Sequence, residues 1–117
     1  MPNPDRDFFL LQSRCIRPGA RLWNPSADVY RTADGWIVKV DLAGVRSDDL
    51  EISISDRNLK IRGCRRDTLI REDFSYQQME ITYSRFEKTI QFPKQIEGAS
   101  VAHDYRDGFL IIDVRGQ

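Results

Sequence analysis

Few residues in this chain are equipped for chemistry. It has one histidine, His103, and two cysteines, Cys15 and Cys64, set among 18 acidic and 18 basic side chains. Acid–base or nucleophilic catalysis needs a proton-trading group placed beside a nucleophile or a second titratable group in a pocket. His103 instead stands between Val101 and Tyr105 with no nucleophile motif around it, and it reads as a packed strand residue. The cysteines have no CxxC partner and no histidine at metal-ligand spacing, so both read as reduced thiols. Arg14 and Arg17 flank the first and Arg65 and Arg66 follow the second, which would lower a thiol pKa wherever the side chains converge. No phosphate-cradling glycine loop of the GxxxxGK[ST] or GxGxxG type occurs, and the carboxylates alternate with apolar residues as a solvated strand face does. Arginines 62, 65, 66 and 71 form a basic cluster, diluted by Asp67, Glu72 and Asp73. The residues therefore give no enzyme, no cofactor, no metal and no nucleic-acid partner.

The elements that carry these residues belong to one domain. The length of 117 residues suits a single core, and 40% hydrophobic with 31% charged residues is the balance of a folded, well-solvated chain. A formal net charge of zero offers no long-range attraction for nucleic acid or anionic membrane, so binding should rest on shape and apolar contact. The apolar run Phe8, Phe9, Leu10 and Leu11 is too short for a signal sequence and follows Asp5 and Asp7. Nothing approaches the length of a membrane span, and the expected compartment is the cytoplasm.

Residues 1–26 read as an N-terminal arm: Pro2, Pro4, Pro18, Gly19 and Pro25 interrupt any long helix, yet Phe8 to Leu11, Ile16, Leu22 and Trp23 need something to bury against. Residues 27–117 read as the folded domain. Ala27 to Thr32 suits a modest edge strand, with Val29 and Tyr30 as its apolar residues. Asp34-Gly35 reads as a tight turn in which glycine takes positive φ. Trp36, Val38, Val40 and Leu42 then share one face. Alternation restarts with Leu50, Ile52 and Ile54, and after Asp56-Arg57-Asn58 it resumes at Leu59 and Ile61, which makes a hairpin. Between Gly63 and Tyr83 the periodicity is lost. A connector this long in a small domain is usually functional or hides an element; Phe74 and Tyr76 suit a short strand, either in a solvated loop or pairing with another subunit. From Tyr83 to Phe92, the side chains of Phe86, Lys88, Ile90 and Phe92 alternate with Tyr83, Arg85, Glu87, Thr89 and Gln91. Val101 to Tyr105, the Asp107-Gly108 turn and Phe109 to Val114 complete the chain, the last run being apolar on both faces and hence central.

Three stretches in order resemble the small heat-shock protein (α-crystallin) family: DVYRTADGWIVKVDLAGVRSDDLEISISDRNLKIRG, then YSRFEKTIQFP, then YRDGFLIIDV. They are similar to the family's D-L-P-G-V segment with its L-x-I-x-G strand, its F-x-R-x-x-x-L-P segment and its N-G-V-L turn and strand. Ala43 replaces the usual proline, Lys88 a frequent arginine and Phe92 a leucine, while His103 stands where a small residue is common. The resemblance implies an all-β, immunoglobulin-like β-sandwich that holds partly unfolded client proteins without ATP and limits their aggregation. It also implies a homodimer by strand exchange, with a strand near Phe74 to Gln78 crossing to the partner's Ala27 to Thr32, and possible assembly into a larger homo-oligomer. Val29, Tyr30, Phe74, Tyr76, Tyr83 and Arg85 are the expected dimer residues. Clients are expected on Phe8, Phe9, Leu10 and Leu11 of the arm and on a groove at Leu50, Ile52, Ile54, Val101 and Tyr105. Family members usually continue into a tail whose I-x-I motif docks beside the strand Leu50 to Ser55. This sequence reaches Gln117 without that motif, so part of the apolar set there is expected to be exposed or covered by a neighbour. The alternative reading is a co-chaperone-like adaptor that recognises one folded partner.

Overall fold

Alternation of apolar and polar residues becomes seven strands in the computed structural model, which describes residues 22–69 and 71–116. They are β1 (Ala27–Arg31), β2 (Gly35–Asp41), β3 (Leu50–Ser55), β4 (Asn58–Cys64), β5 (Arg85–Gln91), β6 (Ser100–Arg106) and β7 (Phe109–Arg115), with one 3-10 turn at Ser47–Asp49. All pairings are antiparallel. β1-β2-β7-β6 form one sheet and β3-β4-β5 the other. The two pack face to face around one core, an immunoglobulin-like β-sandwich.

Register decides which residues enter that core. In the four-stranded sheet Val38 faces Ile112 and Val40 faces Leu110, so the alternating sets of β2 and β7 bury together. In the other sheet Ile52 opposes Ile61, and Leu59 opposes both Ile54 and Ile90. Lys88 faces inward opposite Ile61 but stays half-buried on β5, an outer strand, from which a lysine stem can lie on apolar surface while its amine reaches water. β7 lies between β2 and β6, as its double-sided apolarity requires, and β1 is an edge.

Two expectations are corrected. Gly35 is not a positive-φ turn residue: it begins β2, and a Cβ there would lie 1.8 Å from the Val114 carbonyl oxygen. Glycine is needed for close approach to β7. Positive φ instead occurs at Asp107 and Gly108, as a primed hairpin demands, and at Asp56 in the β3–β4 turn. Second, Cys64, expected as a reduced thiol, is disulfide-bonded in the structure. It is fully buried at the end of β4, and a disulfide persists mainly in oxidising surroundings. Cys15, the chain's other cysteine, lies outside the described residues, as do Phe8, Phe9, Leu10 and Leu11.

The connector from Arg65 to Ser84 forms no strand among its described residues, and every residue from 71 to 81 is exposed. The short strand at Phe74 and Tyr76 therefore does not form within one chain.

Candidate functional site

A sandwich of two open sheets has two open edges, and here the sequence leaves both incompletely covered. Trp36 of β2 packs against Phe92, just after β5, at 5.2 Å between ring centroids. That contact puts β5 beneath the β1–β2 side, so β3, the other outer strand of its sheet, lies on the β6 side. β3 and β6 thus border one groove, and β1 and β5 border the opposite edge.

The first groove takes its lining from strand alternation. Leu50, Ile52 and Ile54 on β3 and Val101 and Tyr105 on β6 pack against the core yet remain half-buried. Fully buried partners stand behind them, Leu59 and Ile61 on β4 and Leu110 and Val114 on β7. The Tyr105 hydroxyl donates to the Leu42 carbonyl at 2.6 Å, which fixes one end of the groove to the end of β2. His103 shares the inward face with Val101 and Tyr105, opposite Ile112. It was expected to be packed and is exposed instead, because β6 is an outer strand with no neighbour on its far side among the described residues.

The far side of the three-stranded sheet is of a different character. Glu51 and Arg62, directly opposed on β3 and β4, pair at 2.7 Å, and Lys60 reaches Glu87 at 3.2 Å. Buried Asp49, at the end of the 3-10 turn, accepts from Arg66 Nε at 2.9 Å and Nη2 at 3.3 Å, a two-point contact that anchors the connector's first residues. These charges solvate or brace the sheet and offer no apolar docking surface.

At the second edge, Val29 and Tyr30 on β1 are exposed; in the connector, Phe74 and Tyr76 are exposed too. Tyr83 and Arg85, expected beside them, are half-buried around the start of β5. Sequence reasoning missed three further exposed residues of the connector: Leu69 at 71%, Met79 at 45% and Ile81 at 59%. Their apolarity was the available signal, hidden by the charges between them.

It also missed how the chain enters the domain. Trp23, assigned to the arm, meets Phe86 edge-on at 5.2 Å, and its backbone N–H points to the Arg85 carbonyl at 3.5 Å. The Arg65 guanidinium lies 3.7 Å over the Trp23 ring and donates to the carbonyls of Thr82 and Ala43 at 2.8 and 3.2 Å. Burial lowers the Arg65 pKa from its ordinary value, opposed by Tyr83, Asp41 and Tyr105. Trp23 is therefore fixed beside β5 and the root of the connector.

Among the described residues no cluster of three or more His, Cys, Asp or Glu side chains is arranged to hold a metal, and no helix is long and apolar enough to cross a membrane. What the site offers is half-covered apolar surface beside unpaired strand edges, which suits binding of extended chains.

Known proteins with this arrangement agree on the fold. A solved structure of heat shock protein 16.0 from Schizosaccharomyces pombe superposes with a TM-score of 0.73 at 23% identity, over 80% of this chain and 86% of that one. The hspA structure from Xanthomonas axonopodis gives 0.67 at 22% identity, over 81% and 95% of the two chains. Small heat shock protein C4 of Rickettsia felis is 24% identical over 94 residues, 80% of this chain and 58% of that protein. The chain thus spans under two thirds of the length of that relative. The pattern of the Hsp20/alpha crystallin family matches residues 28–117. With three quarters of its length, and all seven strands of its sandwich, within or overlapping that match, the chain belongs to the Hsp20/alpha crystallin family.

Proposed function

We propose that this protein is an ATP-independent holdase of the cytoplasm that binds partly unfolded clients and limits their aggregation. The observation that carries the reading is apolar surface left incompletely covered: Leu50, Ile52 and Ile54 with Val101 and Tyr105 at one sandwich edge, Val29 and Tyr30 at the other, and Phe74 and Tyr76 in the connector. Membership of the family supports it. Exposed apolar segments of a client would dock on such surface and add a strand to an open edge, lowering the concentration of aggregation-prone chain with no chemical step. The arm residues Phe8, Phe9, Leu10 and Leu11 would add to this capacity. In the cytoplasm, cellular thiols would be expected to reduce the disulfide at Cys64.

Light scattering of a heat-labile client, with no nucleotide present, tests the reading. Scattering should fall at near-stoichiometric protein, and the double variant Ile52→Ser, Ile54→Ser should require several times more protein for the same effect. Undiminished scattering at a large excess of wild-type protein rejects a holdase.

We further propose that the working unit is a homodimer in which the connector around Phe74 and Tyr76 pairs with the partner's β1. Two open edges would thereby be closed, which is the physical gain of strand exchange. The support is that this segment forms no strand in one chain while its aromatic side chains stand exposed. Sedimentation should give twice the 13.6 kDa of one chain, or an even multiple, and Phe74→Ser with Tyr76→Ser should weaken association by about tenfold or more. A wild-type monomer at micromolar concentration excludes the exchange.

A further inference from the structure

The groove between β3 and β6 contains one side chain that its apolar neighbours do not explain. Among the described residues β6 pairs only with β7, which leaves its other backbone edge to an added strand. Val101, His103 and Tyr105 project to the same inward side, opposite Val114, Ile112 and Leu110. His103 is exposed between two half-buried apolar residues. Every element around it presents apolar groups: Leu110, Ile112 and Val114 on β7, and Leu50, Ile52 and Ile54 on β3. The other titratable residue on its own face is Tyr105, whose hydroxyl is already donated to the Leu42 carbonyl. Asp104 and Arg106 of β6 lie on the opposite face and pair with each other at 3.5 Å. Of the facing surfaces of these two strands, only His103 can carry positive charge.

Resting on the reading of this groove as a binding site, we infer that it selects extended segments of pattern apolar-x-(Asp or Glu)-x-apolar, with the carboxylate set opposite His103. Directly opposed residues of paired strands share a face, so the alternation of β6 passes to its occupant. Apolar residues then meet Val101 and Tyr105, and the central residue meets the imidazole. An occupant covers His103 and removes its water, which is costly unless a hydrogen-bonding partner replaces that water. A carboxylate accepts from an imidazole N–H and gains a charge attraction when the ring is protonated. An apolar central residue supplies neither.

Fluorescence anisotropy with three labelled peptides tests this, each with Ile at the two flanking alternate positions and Asp, Asn or Val at the centre. On the full chain at pH 6 the Asp peptide should bind about three- to tenfold more tightly than the Asn peptide, with the Val peptide weakest. His103→Gln should abolish the ratio. Equal affinity for all three peptides, or a ratio that survives in His103→Gln, overturns the selection while leaving the groove as a binding site. Failure of every peptide to bind overturns the groove reading, and the selection with it. Sedimentation showing the groove filled by a second copy, with peptide binding only after dissociation, also overturns the assignment.

Discussion

Gly35→Ala is expected to cost the domain about 3 kcal/mol or more, the upper end of what overpacking does. The added Cβ would lie 1.8 Å from the Val114 carbonyl oxygen, 2.8 Å from its carbon and 3.0 Å from the Arg115 Cα. All three are backbone atoms, so no rotamer change relieves the clash; β2 and β7 must move apart. They form the central pair of the four-stranded sheet and contribute Val38, Val40, Leu110, Ile112 and Val114 to the core. Gly44→Ala makes a useful contrast. Its Cβ would meet only the flexible Arg65 side chain at 3.5 Å, and its penalty, from φ of 82°, should be about 1 kcal/mol. Urea denaturation followed by far-UV circular dichroism measures both. An unchanged midpoint for Gly35→Ala would refute the close approach of the two strands.

Phe86→Ala should destabilise by about 3 to 5 kcal/mol, the range for emptying a large buried aromatic site. Phe86 is 1% exposed, and its ring fills space that Gly63 leaves open: a Cβ at Gly63 would lie 2.7 Å from two ring carbons. The substitution also removes the edge-on contact with Trp23, leaving that residue held by the Arg65 stack and one long backbone contact. In a Trp36→Phe background, Trp23 emission should shift to the red before global unfolding. A stability loss under about 1 kcal/mol, or unchanged emission, would show that Phe86 does not organise this corner.

The strands were legible because period-two alternation is a local property. Leu50, Ile52, Ile54, Leu59 and Ile61 announce a hairpin, and register then follows from the two-residue turn between β3 and β4. The Asp107-Gly108 turn and the central place of β7 were legible for the same reason. Gly35 was not, because the need for glycine there comes from Val114, some eighty residues along the chain. Trp23 read as part of the arm because its partners, Phe86 and Arg65, are also remote in the chain. Asp49 and Arg66 are 17 residues apart, and neither's charge signals the other.

For the candidate site, the sequence identified the apolar sets of β3 and β6 but not how far each would be covered. His103 shows the difference: alternation placed it on the face of Val101 and Tyr105, while its exposure depended on β6 having a single neighbour. Cys64 carries the same lesson, since a disulfide needs two sulfurs brought together and spacing alone suggested thiols. By itself, the sequence determined the all-β class, most strand positions along the chain and two hairpin turns, because side-chain direction in a strand depends only on the next residue. Which edges stay open, which glycine makes room for a backbone and where Trp23 is fixed were decided only by packing two sheets together, since each depends on atoms distant in the chain.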